Sequence, residues 1–207
     1  VAALAVVVAV GTVTLSLTPR VATHTLPREV ERAVASRELG RLDPPPPLVQ
    51  ALSRQIGASE SAVRGQMLTQ NLELDDHLIR LLGSPDDRVA LSACAWICAG
   101  GVAPNLAERA FRAEGFGAES ERRRALAVVA ASCTGPTSAT LAREALAQGG
   151  NVALGGAYAL WRLGTPLSEA EASVLPKELA AALATGQAKT ALPDDNAPPS
   201  RNAPGHQ

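Results

Sequence analysis

The stretch NVALGGAYALWRLG, residues 151–164, has one charged side chain and is apolar on nearly every face of a helix. A helix that is apolar all round is buried between neighbours or lies in a membrane, and this stretch is too short to cross a bilayer. Two earlier stretches have the same character, RVALSACAWICAGG at 88–101 and RRALAVVAASCTG at 123–135. We therefore expect three inner helices, each packed on more than one side.

A more polar stretch precedes each predicted inner helix: DDHLIRLLG at 75–83, NLAERAFRAEG at 105–115 and SATLAREALAQGG at 138–150. Each begins at a capping-type residue, is apolar on one face and ends at glycine, which is typical of an amphipathic helix that needs one partner. The alternation predicts an all-α fold, an α-solenoid of roughly four to five helix pairs. The spacing of the glycines that end the inner helices falls within the roughly 20 to 50 residues usual for such repeats, and these glycines are Gly101, Gly135 and Gly164.

The composition agrees with a helical core built from small side chains. Hydrophobic residues make up 46% of the 207 residues and charged residues 19%, which excludes a wholly disordered chain. Only 2% are aromatic, so alanine, leucine and valine must fill the core, and this favours closely packed helices. The net charge is -1, so we expect no nucleic-acid partner.

Residues 1–17, VAALAVVVAVGTVTLSL, carry no charge and predict a hydrophobic helix of about 25 Å, close to the thickness of a bilayer core. An uncleaved membrane anchor and a secretory signal segment both fit, and Arg20 favours the anchor because it breaks the small-x-small cleavage pattern. The excess of arginine over lysine, in a chain rich in alanine, glycine and proline, suggests a bacterial source. Both the periplasmic and the cytoplasmic side of the membrane stay open as the location of the following domain.

Three further segments follow the predicted anchor. Residues 18–47 predict a helical stalk that ends in a stiff spacer of four prolines at 44–47. Residues 48–185 contain the alternating helices and form the predicted repeat domain. Residues 186–207 combine proline, asparagine and charge with little to bury, so we expect a disordered tail.

The stretch at 151–164 resembles the second helix of a HEAT-like repeat of the short bacterial type. In that pattern a polar turn is followed by valine, small residues, an Ala-Leu pair and Leu-Gly, and the matching positions are Val152, Ala157, Ala159, Leu160, Leu163 and Gly164. An equivalent set occurs earlier in the chain at Asp87, Val89, Ala93 and Ala95. The resemblance implies stacked helix pairs. It implies no single reaction, because most such relatives are binding scaffolds and some are chromophore lyases.

Three cysteines raise the question of a thiol or metal site. Cys94 and Cys98 lie four residues apart in one inner stretch, and Cys133 lies in the next. Residues four apart in a regular helix do not meet disulfide geometry, so we expect no bridge between Cys94 and Cys98. Cys133 could approach Cys98 from the neighbouring helix, but three thiolates would still need a fourth ligand to hold zinc. We interpret all three as small core residues.

No motif in the sequence predicts catalysis. A glycine-rich phosphate loop, paired histidines at metal spacing and a Gly-x-Ser-x-Gly elbow are all missing. Asp86 and Asp87 are expected to begin a helix rather than to act as acid and base. The helical spacing of Trp96, Tyr158 and Trp161 favours core packing over a ligand groove. We therefore predict no catalytic, cofactor-binding or metal-binding residues.

The predicted function is a membrane-tethered scaffold for protein–protein interaction. Since the inner helices are covered, a protein partner must contact the more polar helices. The arginine run at 122–124 follows acidic residues, so we expect it to be solvated rather than to contact phosphate. Two alternatives stay open: an enzyme or cofactor handler of the chromophore-lyase type, and the sensor or regulatory part of a longer membrane protein. The candidate partner-binding residues are Arg80, Glu108, Arg109, Arg112, Arg143 and Glu144.

Overall fold

The computed structural model describes residues 25–101, 104–113, 117–133 and 138–184. Within these ranges 77% of the residues are helical and there is no strand, which confirms the all-α prediction. The helices are α1 (Leu26–Glu38), α2 (Pro46–Ile56), α3 (Glu60–Leu68), α4 (Asp75–Leu81), α5 (Asp87–Trp96), α6 (Pro104–Arg112), α7 (Ala118–Ser132), α8 (Ser138–Leu146), α9 (Gly150–Arg162), α10 (Glu169–Ser173) and α11 (Lys177–Ala184). A short 3-10 turn, Leu72–Leu74, precedes α4, and a wider turn, Ile97–Gly101, continues α5.

The six helices α4 to α9 overlap the six stretches that the alternating pattern predicts, although α7 begins at Ala118, five residues before its predicted stretch. The three inner stretches form α5, α7 and α9, and every residue from 152 to 160 in α9 is buried. Helix α7 packs against both α5 and α9, so the three inner helices form one continuous layer. Helices α4, α6 and α8 each pack against the inner helix that follows them in the chain. The charged faces of α6 and α8 point away from the inner helices and are exposed to solvent.

Two adjacent glycines allow α9 to approach its neighbours closely. A Cβ atom at Gly155 would collide with the backbone carbonyl of Ala125 in α7. A Cβ atom at Gly156 would lie 2.5 Å from the carbonyl oxygen of Ala142 in α8. Since real Cβ contacts of this kind do not occur at such distances, alanine at either position would force the helices apart. The GlyGly pair therefore fixes the position of α9 between α7 and α8.

Helix α1 is part of the core, and the prediction that residues 18–47 form a separate stalk is wrong for the described part of that segment. Leu26 and Val30 are fully buried, and α1 packs against α5. Glu31 of α1 forms an ion pair with Arg162 of α9, which joins the first helix to the last inner helix. The apolar stripe of α1 needs a partner, and α5 supplies it.

The proline spacer also differs from the prediction. Pro45 has an extended backbone, but the next two prolines occupy the first turn of α2. Proline suits that position because its missing N–H would have no helical partner there. The segment is therefore a short connection between two packed helices.

The predicted anchor at 1–17 and the predicted tail at 186–207 lie outside the described residues. No helix within the described ranges has the length and the apolar character to cross a membrane.

Candidate interaction surface

The six predicted partner-binding residues lie on the three polar helices. Arg80 is on α4, Glu108, Arg109 and Arg112 are on α6, and Arg143 and Glu144 are on α8. All are exposed except Glu108, which is half-buried. The six residues do not form one set: some form ion pairs, and for others no ion pair is found with a residue in the described ranges.

Arg112 connects α6 to α8. Its Nε donates to Glu108 Oε1 at 3.1 Å, and its Nη1 donates to Glu144 Oε1 at 3.2 Å. The hydrogen bond with Glu108 and the charge of Glu144 raise the pKa of Arg112 above its ordinary value. Because all three side chains are at least partly open to solvent, this cluster adds little to stability.

Arg143 is also paired, through an Nε–Oε1 distance of 3.3 Å to Glu171 in α10. Glu171 belongs to a capping box, in which its Oε2 accepts from the backbone N–H of Ser168 at 2.7 Å and from the Ser168 hydroxyl at 2.9 Å. These hydrogen bonds, helped by the charge of Arg143, lower the pKa of Glu171. Arg143 therefore links α8 to α10.

Arg80 and Arg109 are different, since neither forms an ion pair with a residue in the ranges that the structure describes. Both face a groove of about 280 Å³ between α4 and α6, which we call the arginine groove. Its lining residues are Asp76, Ile79, Arg80, Leu106, Arg109, Ala110, Ala113 and Arg123. The groove combines an aliphatic floor with exposed cations, and sequence reasoning missed it because α4 and α6 are far apart in the chain.

The arginine run at 122–124 is not solvated as predicted. Arg122 is only 6% exposed; its Nη2 lies 2.9 Å from Asp87 Oδ1, and its Nη1 donates to the Ser84 carbonyl at 2.6 Å. Arg124 donates to the Phe111 carbonyl at 3.2 Å, and its guanidinium lies 5.1 Å from the centre of the Phe111 ring. These side chains attach α7 to α5 and α6, so their role is structural.

The two aspartates at the start of α5 also have structural roles, as expected. Asp86 accepts from the backbone N–H of Arg88 at 2.9 Å and caps the helix, while Asp87 pairs with Arg122. Within the described ranges, no group of three or more His, Cys, Asp or Glu residues is placed to hold a metal ion.

The cysteines differ in part from the prediction. Cys94 is a buried free thiol whose S–H donates to the Leu126 carbonyl at 3.5 Å, and burial raises its pKa to about 12 against the opposing charge of Arg162. Cys98 and Cys133, however, form a disulfide with a Cα–Cα distance of 5.0 Å. Cys98 is buried and Cys133 packs against the core, as predicted, but the two are bonded to each other because Cys98 lies in the wide turn after α5, where it meets the end of α7.

The three aromatic residues separate into two groups. Trp96 and Tyr158 are 3% and 1% exposed, which confirms core packing for both. Trp161 is only half-buried and stacks on Tyr158 with 5.5 Å between ring centres. Its other side lines an apolar cleft of about 520 Å³ at the C-terminal end of the fold, together with Gly164, Thr165, Pro166, Leu167, Ala172, Ala180, Leu183 and Ala184.

Comparison with protein-family models, with curated proteins and with solved structures finds no match to this chain. The HEAT-like resemblance thus stays a prediction from the sequence.

Proposed function

We propose that residues 26–184 form a HEAT-like α-solenoid that binds a protein partner through its polar helices. The inner helices support this assignment because their surfaces are buried against other helices. Residues 152–160 in α9 and 125–132 in α7 are all buried. A partner then has the outer faces of α4, α6 and α8 and their turns available. The observation that carries the proposal is the exposure of charged residues on all three of these polar helices, which alternate with the inner helices along the chain.

We also propose that the domain is tethered to a membrane and lies on its oxidising, extracytoplasmic side. The uncharged residues 1–17 support the tether. The Cys98–Cys133 disulfide supports the side, since such bonds persist in oxidising compartments and are rare in the cytosol. Alkylation of intact cells before lysis tests this point: one reactive thiol per denatured chain, from Cys94, is expected. Three reactive thiols would place the domain in a reducing compartment.

Site-specific photo-crosslinking tests the scaffold. A benzophenone side chain introduced at Arg109 or Glu144 should yield the same discrete adduct from the full chain in its own membrane. The same group at Arg54, an exposed residue of α2, serves as the control and should not yield that adduct. Arg109→Glu with Arg112→Glu should weaken the adduct formed from Glu144. The proposal fails if no adduct forms at the polar helices, or if Arg54 gives the same product.

A second candidate is ligand binding of the chromophore-lyase type, and the apolar cleft beside Trp161 favours it. Its volume of about 520 Å³ falls in the range of small-molecule sites. Thr165 is the one polar side chain among its lining residues, which argues for an apolar ligand held without catalysis. The fluorescent probe 1-anilinonaphthalene-8-sulfonate tests it: saturable binding to the native protein, with quenching of tryptophan fluorescence, is expected only if the cleft admits a ligand.

A further inference from the structure

Three arginines, one each from α4, α6 and α7, line the arginine groove together with aliphatic side chains. Arg80 extends from α4 and Arg109 from α6. Arg123 of α7 lines the same groove, as do Ile79, Leu106 and Ala110. A guanidinium group presents a planar set of donors that matches a carboxylate, and its hydration is weak enough for it to be bound beside apolar atoms.

The ion pairs on α6 and α8 distinguish Arg80 and Arg109 from the other candidate arginines. Arg112 and Arg143 each contact a glutamate of this chain, at 3.2 and 3.3 Å, and are already satisfied. Arg80 and Arg109 form no ion pair within the described ranges, and this includes Asp76, which lies one helical turn before Arg80 and lines the same groove. An external carboxylate can therefore bind them without displacing an internal partner.

We propose that the arginine groove binds a peptide segment of the partner in which a carboxylate side chain stands next to an aliphatic one. This inference rests on the proposed scaffold function and names the chemistry that the scaffold recognises. The carboxylate pairs with Arg80 and Arg109, and the aliphatic side chain covers Ile79 and Leu106. Burial of that side chain excludes water from the ion pairs and strengthens them.

A peptide fits this groove better than an anionic membrane surface or a nucleic acid. The chain as a whole has a net charge of -1, Asp76 lines the groove together with its arginines, and Arg112 and Arg143 on α6 and α8 are paired with glutamates. Membranes and nucleic acids are bound by several unpaired cations spread over a wide surface. A groove of about 280 Å³ is instead a local site, just below the roughly 300 Å³ at which the range of small-molecule pockets begins.

Selection from a phage-displayed library of random peptides against the full chain tests the proposal. Enriched sequences should contain aspartate or glutamate beside leucine, isoleucine, valine or phenylalanine. A fluorescein-labelled enriched peptide should lose about tenfold or more of its affinity, by anisotropy, for the Arg80→Glu/Arg109→Glu variant. Replacing its carboxylates by amides, or raising the salt concentration, should weaken its binding to the unmodified protein.

The matched control is Arg41→Glu/Arg54→Glu, which makes the same charge change at two exposed arginines away from the groove and should bind the peptide normally. The proposal is overturned if selection enriches no acidic-aliphatic sequence, or if both double variants bind the peptide equally. It is also overturned if vesicles of anionic phospholipid bind the chain and are released by the groove variant while peptides are not. The scaffold itself is judged separately by crosslinking at Glu144, so a formed adduct with an inert groove rejects only this inference.

Discussion

Gly155 shows how strongly one side chain position controls the packing of α9. Gly155→Ala should lower the free energy of unfolding by about 1 to 3 kcal/mol through overpacking against the Ala125 backbone. This loss opposes the gain of about 1 kcal/mol that alanine normally brings to a helix interior. Urea unfolding measures it, and Gly65→Ala in α3 is the control because nothing lies within 4 Å of its Cβ position. The control should stabilise the protein, and a shift of both variants in the same direction would contradict the packing argument.

Because of Cys94, we expect the free energy of unfolding to fall as the pH rises in the alkaline range. Burial raises its folded-state pKa to about 12, above the ordinary value of 9.0, so the unfolded chain loses its proton first as the pH rises. The stabilising contribution is therefore complete below about pH 9 and is lost progressively towards about pH 12. Its slope reaches about 1.4 kcal/mol per pH unit.

Urea unfolding at about pH 8 and about pH 10 measures this dependence. Cys94→Ala should be less stable at the lower pH and should lose less stability between the two values. Tyr158, whose pKa is raised mainly by burial, is present in both proteins, and because the charge of Cys94 is the smallest cause of that shift, the contribution of Tyr158 largely cancels. Equal losses in the two proteins would show that Cys94 does not contribute.

At the scale of single elements, α1 provides the clearest test of where the domain begins. Leu26→Ala should cost about 2 to 5 kcal/mol, because the side chain is fully buried against the core. Leu39→Ala is the control at the other end of the same helix, where the leucine is 68% exposed, and should change stability by less than about 0.5 kcal/mol. Thermal melts of both variants measure these changes in stability. If Leu26→Ala melts like the unmodified protein, α1 is a separate stalk after all.

The positions of α4 to α9 could be predicted because their patterns are local: apolar residues recur at helical spacing within each stretch, and each stretch ends at glycine. Contacts between helices could not be predicted in this way. The stripe on α1 shows that something covers it, but not that α5 does. Arg122 reads as a surface residue until Asp87 of another helix lies 2.9 Å away. The groove lined by Arg80 and Arg109 depends on the approach of α4 to α6. The local sequence pattern of either helix does not show that approach.

For the molecule as a whole, the Cys98–Cys133 disulfide joins two inner helices across a separation of 35 residues. A loop of this length predicts a stabilisation of about 3 to 4 kcal/mol by restriction of the unfolded chain. A phosphine reductant should therefore lower the melting temperature of the protein. The control is Cys98→Ala/Cys133→Ala, which should melt at the lower temperature with or without reductant. The bond would be ruled out if the reductant left the melting temperature of the unmodified protein unchanged and a maleimide detected three free thiols per chain after denaturation without reductant.

The arginine groove and the apolar cleft lie on different elements, so their two functions can be separated by substitution. Trp161 is half-buried, and Trp161→Ala should cost about 1 to 2 kcal/mol rather than the 3 to 5 kcal/mol of a fully buried tryptophan. If the scaffold is the function, this variant should keep its affinity for the enriched acidic peptide, while Arg80→Glu/Arg109→Glu should lose that affinity and melt normally.

Melting curves and peptide anisotropy on both variants make the comparison. The scaffold would give way to the ligand-binding alternative if Trp161→Ala abolished saturable binding of 1-anilinonaphthalene-8-sulfonate and the groove variant left every interaction intact. That result would assign the recognised molecule to the cleft between α9 and α11, because Trp161 is the largest side chain lining it and supplies its one aromatic surface.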